Sequence, residues 1–484
     1  MKVASRVNAL CKNLIRPNFE FVFPYSTALP KEKKKIGQLL ISCKRKNLNH
    51  YSSIYYGNLD EVPLASKGWS HSKARGDFLT VHPFPDEMHE LTYSLREMGL
   101  NASMIEALKK EGIQRATEFQ HRAFDVVRSG SHVMLAAETG CGKTLSYLLP
   151  IIQELSGNKA PAMNCPKAVV IVPNRELAYQ IGEVAKILGD SVGVNVKVVV
   201  GGRIKSMMMN PTFEDIDVLV GTPGAIGKLS TVGVYKLNEA KYAVLDEADT
   251  LIDDSFIERM SSLVKRLSQS QFLLVTATLP KSLPDILAPL EQSMKHVVSP
   301  RIHKPLLNIT QKFLRLNASM KPSHLLQTAK NNKSPMVIFT NKNQTCNWVA
   351  LFLRENGVNC ANINGDMNYA IRIEQWNQFV SGKANILAAT DVGSRGLNTI
   401  QVMHVLNYDF PLYAADYLHR IGRVGRLGSP DSCKVTNFVV GEQEVKLVQQ
   451  IELAIRRNQP LTNVDGNITN IVQRKIARNM RESV

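Results

Sequence analysis

Short apolar runs recur along the chain from about residue 91, and stretches of helical character separate them. The runs are rich in valine and leucine and lack the apolar–polar alternation of a strand with one face in water. They therefore predict parallel strands that are buried on both faces. The runs of the first block are Val133–Leu135, Ala168–Val172, Val196–Val200, Val218–Val220, Tyr242–Leu245 and Phe272–Val275. Those of the second block are Met336–Phe339, Ala361–Ile363, Ile386–Ala388, Val402–Leu406 and Thr436–Val440.

This alternation of strands and helices in two blocks predicts two tandem α/β domains. The break lies near residues 300–307, where Pro300 and Pro305 flank a short basic stretch. Residues 51–90 lack a periodic pattern, which predicts a linker. The predicted organisation is a basic N-terminal segment at 1–50, a linker at 51–90, a first domain at 91–302, a second domain at 303–457 and a basic tail at 458–484.

The chain of 484 residues is basic, with 59 Lys and Arg against 42 Asp and Glu and a formal net charge of +17. Solubility alone would explain this excess, and so would a polyanionic partner, because lysine and arginine release counterions from phosphate backbones. An anionic membrane surface is a third explanation. No apolar run approaches the ~18 residues of a membrane span, so we expect no stable membrane association. The seven cysteines are scattered without a C-x-x-C pair, which indicates a reducing compartment.

The first 50 residues contain eleven Lys and Arg but only two acidic residues, Glu20 and Glu32. Apolar residues recur there at helical spacing until Pro17, namely Val3, Val7, Leu10 and Leu14. A basic, acid-poor amphipathic N-terminus is typical of a mitochondrial presequence. The alternative is a disordered basic arm that binds nucleic acid, and the lysine clusters after residue 30 would also suit nuclear import.

A glycine-containing loop follows the first apolar run and precedes a helical stretch. Backbone N–H groups at a helix N-terminus can surround a phosphate where no side chain obstructs them. Lys143 would then reach the β- and γ-phosphates of a nucleotide, and the Thr144 hydroxyl would suit Mg²⁺. The predicted phosphate-binding residues are Ala137, Glu138, Thr139, Gly140, Cys141, Gly142, Lys143 and Thr144.

An acidic string, Asp246-Glu247-Ala248-Asp249, follows the strand predicted at Tyr242–Leu245. The strand end would place Asp246 near the phosphates, where it could hold Mg²⁺ through water. Glu247 would then orient or deprotonate the attacking water. An acidic helix start is the alternative for this string alone. It explains less once the glycine loop follows another strand of the same domain.

These letters, with the motifs around them, resemble the DEAD-box RNA helicase family over roughly residues 91–457. The matching segments of the first block are Gly112, Thr117 and Gln120, Pro173–Ala178, Gly201–Gly202, Thr222–Gly224 and Thr276–Thr278. The resemblance implies that Gln120 reads the adenine edge. It also implies that Thr276, Thr278 and Asp249 link the state of ATP to domain closure.

Further matches lie in the second block, at Phe339–Asn341, Arg372, Thr390–Asp391, Ser394–Gly396 and Tyr417–Arg426. They imply catalytic roles for Arg423 and Arg426, which would reach the γ-phosphate from across a cleft. Arginine fingers of this kind are worth ~10³–10⁵ in rate in related reactions. A basic surface face is the alternative, but the glycine-interrupted spacing is not that of one helix face. His419 and Arg420 take coupling roles by the same resemblance.

The family holds RNA through its sugar–phosphate backbone. The resemblance assigns that contact to Arg175, Gly202, Thr222, Gly224, Arg372, Thr390 and Gly396. Arg175 would equally suit an internal ion pair with a carboxylate. The predicted basic tail carries Arg474, Lys475, Arg478 and Arg481, and either packs on the second domain or binds RNA.

The chain departs from the family pattern at several positions. Ala116 replaces the usual proline before the adenine-reading glutamine, and Leu95 stands where an aromatic residue stacks on adenine, so Tyr93 is a candidate substitute. Ala225 removes an expected phosphate contact, and Asn398 replaces the acidic residue that binds the ribose in the family. We therefore expect an active ATPase with weaker nucleotide discrimination and a weaker hold on RNA.

The resemblance implies an ATP- and Mg²⁺-dependent RNA helicase of two tandem RecA-like parallel-sheet domains with a cleft between them, acting as a monomer. The segments Val62–Trp69 and Asp249–Leu251, with Ala225, resemble an animal mitochondrial branch linked with large mitoribosomal subunit assembly. That finer resemblance implies ribosomal RNA and ribonucleoprotein assembly factors as partners and the mitochondrial matrix as location, with nucleus or nucleolus as the alternative. The rival functions are an ATP-gated RNA clamp or assembly platform with little unwinding, and a related helicase that acts on DNA.

Overall fold

The computed structural model of the protein describes residues 37–84, 92–157, 162–202, 204–252, 254–280, 282–391, 401–426, 432–462 and 464. The strands in these ranges are β1 (Leu39–Cys43), β2 (His50–Tyr51), β3 (Phe78–Val81), β4 (Thr92–Ser94), β5 (Arg115–Thr117), β6 (Val133–Ala136), β7 (Ala168–Ile171), β8 (Val196–Val199), β9 (Val218–Gly221), β10 (Tyr242–Asp246), β11 (Gln271–Thr276), β12 (Lys295–Val298), β13 (Thr310–Arg315), β14 (Met336–Thr340), β15 (Cys360–Ile363), β16 (Ile386–Thr390), β17 (His404–Asn407) and β18 (Lys434–Val439). The helices are α1 (Ala102–Lys110), α2 (Glu118–Arg128), α3 (Lys143–Leu155), α4 (Arg175–Asp190), α5 (Ile204–Met209), α6 (Pro223–Thr231), α7 (Ala248–Leu251), α8 (Asp254–Arg266), α9 (Ala288–Glu291), α10 (Lys321–Lys330), α11 (Asn343–Glu355), α12 (Tyr369–Val380), α13 (Ala414–Ile421) and α14 (Glu442–Arg457).

The first domain is built on a parallel sheet with the strand order β12-β6-β11-β10-β7-β9-β8. Every residue of β6, β7, β9, β10 and β11 is buried, because helices cover both faces of the sheet. The carboxyl ends of parallel strands lie at one edge. That edge carries the glycine loop after β6, the acidic string after β10 and Thr276 at the end of β11. In open α/β sheets, ligands bind at this edge.

The second domain contains a parallel sheet in the order β15-β16-β14-β17-β18-β13. Its carboxyl edge carries Thr390 at the end of β16, and α13 follows β17. The two tandem parallel-sheet domains confirm the predicted α/β fold class. The turn from one sheet to the other occurs between Val298 of β12 and Thr310 of β13, near the predicted break.

The N-terminal extension, residues 38–84, belongs to the second domain. Its strand β3 pairs antiparallel with β13, so that Leu79 lies opposite Phe313, and β1 pairs with β3, so that Ile41 lies opposite Val81. Strand β2 then forms the outer edge of the sheet. The linker predicted at 51–90 is therefore wrong for residues 51–84, and residues 38–50 are part of the folded domain. The pattern failed because these strands are short and their partner β13 lies more than two hundred residues along the chain.

A buried ion pair fastens the extension to α14. The Glu452 carboxylate accepts hydrogen bonds from the backbone N–H groups of Ala65 and Ser66, at 2.8 and 3.0 Å, and from the Ser66 hydroxyl at 2.6 Å. Arg456 pairs with the same carboxylate at 2.8 Å and donates to the Leu48 carbonyl at 2.6 Å. Next to this pair Trp69 is only 1% exposed. The segment around Trp69 thus has a structural role in this chain.

We expect Glu452→Ala to lower the free energy of unfolding of the second domain by ~3–5 kcal/mol, because the substitution leaves Arg456 buried without its partner. The three tryptophans of the chain, Trp69, Trp348 and Trp376, all lie in this domain, so urea unfolding followed by tryptophan fluorescence reports on it alone. The exposed Glu355 provides the control, and Glu355→Ala should change the free energy by less than ~0.5 kcal/mol. Equal stabilities of the two variants would contradict the structural role of the pair.

Several sequence predictions lie outside the described residues. They are the amphipathic helix within residues 1–36, the residues Ser394, Arg395, Gly396 and Asn398, and the basic tail beyond residue 464. Before that tail, Leu461 is buried and its N–H donates to the His303 carbonyl at 2.9 Å. Among the described helices none is long and apolar enough to span a bilayer.

Candidate active site between the two domains

The glycine loop joins β6 to α3 and turns through two left-handed glycines, Gly140 at φ +88° and Gly142 at φ +85°. The Lys143 ammonium group folds back over the loop and donates to the carbonyls of Ala137 and Glu138, at 2.8 Å each. Glu138 has a buried carboxylate oxygen, Oε2, without a hydrogen-bond partner among the described residues. The backbone of the loop is thus shaped as a phosphate loop requires, and its lysine lies over it.

Gln120 connects α2 to this loop. Thr117 and Gln120 form a capping box at the start of α2, in which the Gln120 amide oxygen accepts from the Thr117 N–H at 2.9 Å. The Gln120 amide nitrogen donates to the Gly142 carbonyl at 3.2 Å. The predicted adenine-reading residue is therefore held against the phosphate loop. Tyr93, the candidate adenine platform, stacks on His121 of the same helix with ring centroids 4.1 Å apart, whereas Leu95 is buried in the core.

Asp246 ends β10 and is buried. Its Oδ2 accepts a hydrogen bond from the Tyr147 hydroxyl at 2.9 Å, and its Oδ1 accepts from the Glu247 N–H at 2.8 Å. Burial raises the pKa of Asp246 to about 6, with a further rise from the Glu247 charge. Burial and Asp246 raise the pKa of Tyr147 whereas Thr144 lowers it, so both predicted Mg²⁺ ligands lie close to this tyrosine. Sequence reasoning missed Tyr147, although it lies three residues after Thr144 on α3 and hence on the same side of the helix.

Glu247 adopts a left-handed backbone conformation, with φ 52° and ψ 49°, between β10 and α7. This conformation is uncommon for a residue with a side chain. Its carboxylate oxygen Oε2 is buried and has no hydrogen-bond partner among the described residues. A buried acceptor left unsatisfied costs about 1–3 kcal/mol. The strained backbone therefore holds a carboxylate with one unpaired oxygen beside Asp246, an arrangement that would suit a water-orienting base.

The phosphate loop packs directly against the end of α13 in the second domain. A Cβ added to Gly422 would overlap the Thr139 hydroxyl, and a Cβ added to Gly140 would lie 2.8 Å from Cγ of Arg426. These glycines permit the close approach of the two domains. Arg426 donates from Nε to the Gly422 carbonyl at 2.9 Å, and Arg423 is buried close by. Burial lowers the pKa of Arg426 to about 9, as does the neighbouring positive charge of Arg423, while Glu247 opposes the shift.

A second contact between the domains joins the predicted coupling residues. The Thr278 hydroxyl donates to Asp249 Oδ2 at 2.8 Å, and Nε2 of His419 lies 3.3 Å from the same oxygen. Thr276 donates to the Thr278 carbonyl at 2.7 Å and so fixes the turn after β11. The structure thus brings together four of the five predicted coupling residues, at one point where the domains meet.

The fifth predicted coupling residue, Arg420, acts within the second domain. Its buried guanidinium group holds Asp391 through two hydrogen bonds of 2.7 and 2.6 Å, and it donates to Asn341 at 2.6 Å. It also donates to the Asp409 carbonyl at 2.7 Å. Arg420 therefore joins the residues that follow β14, β16 and β17, and these hydrogen bonds all stay within the second domain.

The predicted RNA residues in the described ranges lie at the carboxyl edges of the two sheets. Arg175 begins α4, Gly202 follows β8, and Thr222 and Gly224 lie at the start of α6, while Thr390 ends β16. Arg372 lies on α12 and forms an ion pair of 2.8 Å with Glu176 of the first domain. Arg175 stacks on the Tyr369 ring at 4.7 Å, so the internal carboxylate pair considered for Arg175 is replaced by a contact with an aromatic ring. Ala225 is buried in α6.

Comparison with known proteins shows to which family this arrangement belongs. The profile of the family described as "DEAD/DEAH box helicase" matches residues 117–286, and that described as "Helicase conserved C-terminal domain" matches residues 320–428. The mouse protein named "Probable ATP-dependent RNA helicase DDX28" is 33% identical over 468 residues, which cover 89% of this chain and 87% of the mouse protein. The human protein of the same name is 33% identical over 472 residues, with the same coverage. The chain is a DEAD-box ATP-dependent RNA helicase.

Solved structures show the same fold for this helicase. The structure of "Mss116p (NTE and C-tail double deletion) bound to ssRNA and AMP-PNP" matches 79% of the helicase and 81% of that chain, with a TM-score of 0.63 at 23% identity. Another, "S. cerevisiae Dbp5 bound to RNA and ADP BeF3", matches 80% of the helicase and 99% of that chain, with a TM-score of 0.62 at 22% identity. The fold thus agrees with the family shown by the curated relatives, whose members are ATP-hydrolysing enzymes, and the helicase is an enzyme of this family.

The residues of the helicase also fit a nucleotide with its Mg²⁺ ion. The glycine loop turns through two left-handed glycines, and Glu138 and Glu247 each have a buried carboxylate oxygen without a hydrogen-bond partner among the described residues. A divalent cation would favour the ionised form of Asp246, which burial alone disfavours. Lys143 would hold the phosphates, and Thr144 and Asp246 would hold the cation. Bound in this way, Mg²⁺ supplies charge neutralisation at the phosphate oxygens.

Proposed function

We propose that this helicase couples ATP hydrolysis to local separation of short RNA duplexes or to remodelling of RNA–protein contacts. The observation that carries the proposal is the packing of the phosphate loop against Gly422 and Arg426. Residues for the phosphates and for water activation belong to the first domain, while the arginines belong to the second. A site completed only when the domains close makes hydrolysis depend on closure. RNA bound across both domains would favour closure and so stimulate hydrolysis.

The geometry supports a role for each residue of the site. Lys143 binds the phosphates, Thr144 and Asp246 hold Mg²⁺, and Glu247 orients the attacking water through its unpaired oxygen. Arg423 and Arg426 stabilise the charge that develops on the γ-phosphate. The RNA backbone is held by Arg175, Gly202, Thr222, Gly224, Arg372 and Thr390, which lie towards the carboxyl edges of the two sheets, and by Gly396, which lies outside the described residues. The Asp249–Thr278–His419 contact supports the coupling role proposed for those residues.

A protein that grips RNA in an ATP-dependent manner without unwinding it is a second candidate. Ala225 favours this function, because the residue is buried in α6 and contributes no phosphate contact. A weaker hold on RNA would favour a clamp or assembly platform over repeated strand separation. A helicase that acts on DNA is the third candidate and differs from the first only in the strand that stimulates it.

One pair of assays separates these candidates. ATP hydrolysis is measured with single-stranded RNA, with DNA and without nucleic acid, and strand displacement is measured on an RNA duplex of about ten base pairs. Stimulation by RNA with displacement supports the proposal. Stimulation without displacement identifies the clamp, and equal or stronger stimulation by DNA identifies the DNA helicase. A rate of ATP hydrolysis that neither RNA nor DNA changes would overturn all three candidates.

We also propose that the helicase works in the mitochondrial matrix on ribosomal RNA, during assembly of the large mitoribosomal subunit, with ribonucleoprotein assembly factors as partners. The basic amphipathic N-terminus supports this location. The compact unit that contains both large sheets begins at Gln38, immediately before β1. Because removal of β1 would unpair β3 at the edge of the second sheet, we place the end of the presequence before residue 38. The finer sequence resemblance supports the proposed RNA. Crosslinking in cells followed by sequencing of the bound RNA tests it, and an absence of ribosomal RNA would contradict it.

Residues 1–37 fused to a fluorescent protein should therefore enter mitochondria. Charge reversal at Arg6, Lys12 and Arg16 should abolish entry, because the membrane potential and import receptors favour a basic amphipathic helix. Charge reversal at Lys33, Lys34 and Lys35 is the matched control, since it changes the same charge outside the helical pattern, and entry should persist. A diffuse or nucleolar wild-type fusion would count against the presequence and for the nucleic-acid-binding arm.

A further inference from the structure

Two tyrosines and two arginines meet where α4 of the first domain faces α12 of the second. The guanidinium carbon of Arg175 lies 4.7 Å from the centre of the Tyr369 ring. Next to this contact, Nη2 of Arg372, three residues after Tyr369, lies 2.8 Å from Oε1 of Glu176, the residue after Arg175. We call the group formed by Arg175, Glu176, Tyr179, Tyr369 and Arg372 the Tyr–Arg cluster. The stack and the ion pair fix the first turns of both helices against each other.

Tyr179 is the solvent-exposed member of the Tyr–Arg cluster. It lies four residues after Arg175 on α4, so both side chains occupy the same helix face. Half of its surface, 50%, remains exposed, although tyrosine is a large and mostly apolar residue. Burial raises the pKa of Tyr369, and the neighbouring Tyr179 hydroxyl raises it further, which agrees with their proximity. A half-exposed aromatic side chain therefore lies on the same helix face as Arg175 and close to Tyr369.

The cluster adjoins the residues proposed to hold the RNA backbone. A Cβ added to Gly201 would lie 2.7 Å from Nη2 of Arg175, so the guanidinium group lies flat against the glycine doublet. Gly202 adopts φ +108°, a backbone conformation that a side chain would strain, so this position favours glycine. The Tyr–Arg cluster, to which Tyr179 belongs, therefore lies beside the doublet that is proposed to contact the RNA backbone.

We propose that Tyr179 stacks on an unpaired nucleobase of the bound RNA strand, with Arg175 and Tyr369 as the preorganised layer beside it. This inference rests on the proposed function, because it needs an RNA strand bound across the two domains. Aromatic rings and guanidinium planes are the surfaces on which proteins stack single-stranded bases, and they accept every base because every base has a π-face. Backbone contacts at glycines carry no base information. The helicase would therefore sense whether a base is present and unpaired at one position of its strand.

The test measures the affinity for a single-stranded RNA of about ten nucleotides, by fluorescence anisotropy, in the presence of a non-hydrolysable ATP analogue. A series of oligonucleotides carries one abasic site, moved stepwise along the strand. Wild-type helicase should lose affinity at one position of the abasic site, and Tyr179→Ala should lose roughly 5- to 150-fold for the intact strand. The two losses should not add, because both remove the same stack.

Matched variants exclude a structural effect. Tyr179→Phe should bind like wild type, and Tyr179→Leu, which keeps an apolar side chain without a ring, should bind like Tyr179→Ala. Tyr55 is 86% exposed on the N-terminal extension, and Tyr55→Ala should leave RNA affinity unchanged. In steady-state ATP hydrolysis, Tyr179→Ala should raise the RNA concentration for half-maximal stimulation while the rate at saturating RNA stays the same.

Two results would overturn the inference. One is equal affinity of the wild type for every abasic strand, and the other is wild-type affinity of Tyr179→Ala for the intact strand. Either leaves the proposed function intact as long as RNA still stimulates hydrolysis. A helicase that neither binds RNA nor responds to it would instead overturn the proposed function itself.

Discussion

Replacing Arg426 by alanine is expected to reduce RNA-stimulated ATP hydrolysis by ~10³-fold or more, the effect of losing an arginine finger. The affinity of the RNA-free helicase for ATP should change little, because the residues proposed to hold the phosphates and Mg²⁺ belong to the first domain. Arg426 comes from the second domain and packs its side chain on Gly140 of the phosphate loop. Its pKa of about 9 keeps the guanidinium group charged at neutral pH despite burial.

Two further variants make this prediction specific. Arg426→Lys should rescue poorly, because an ammonium group lacks the planar fork that contacts two oxygens at once. Arg354 lies exposed on α11 of the same domain, and Arg354→Ala should leave hydrolysis near the wild-type rate. The measurements are steady-state hydrolysis with and without RNA and a nucleotide-binding titration. Full RNA stimulation in Arg426→Ala would contradict the finger role. An equal loss with and without RNA, together with weaker ATP binding, would make Arg426 an ordinary phosphate contact.

The sequence predicted the buried strands well because burial on both faces leaves a continuous apolar run. The runs at Val133 and Tyr242 became the fully buried strands β6 and β10. Strand β12 was missed because its first two residues are exposed, and β13 because buried and exposed residues alternate along it. The N-terminal extension was missed for another reason: its pairing with β13 depends on a contact between distant parts of the chain, which no local pattern records.

The candidate site, too, could be predicted from the sequence only in part. The glycine loop and the acidic string could be found from the sequence, because phosphate and Mg²⁺ sites need those residue types directly after a strand. The left-handed backbone of Glu247 and the hydrogen bond from Tyr147 to Asp246 could not be found, since both arise from tertiary packing. The contact of Gly422 with Thr139 joins residues of different domains. The sequence therefore identifies candidate residues for the site, and the fold determines which of them lie in contact.

The second large effect on ATP hydrolysis is expected at Glu247, whose Oε2 has no hydrogen-bond partner among the described residues. Glu247→Gln should keep ATP binding and slow hydrolysis by ~10²–10⁴-fold, the usual contribution of a general base. Glutamine has nearly the same shape as glutamate and leaves the strained backbone in place, but it carries no negative charge to orient or deprotonate water. Lys143, Thr144 and Asp246 remain to hold the nucleotide. A nucleotide-binding titration and single-turnover hydrolysis at saturating RNA measure the two quantities separately.

Lys143→Ala gives the contrasting result, because the loss of its ammonium group should impair nucleotide binding or the productive placement of the phosphates. Glu258 is an exposed glutamate on α8 of the same domain, and Glu258→Gln should hydrolyse ATP at the wild-type rate. Because Glu247→Gln binds ATP without cleaving it, this variant should also stay closed on RNA and dissociate from it more slowly than wild type. Normal turnover in Glu247→Gln would remove the residue from its proposed role. Slow turnover combined with weak ATP binding would instead show that the side chain holds the nucleotide, since a water-orienting base acts only after binding.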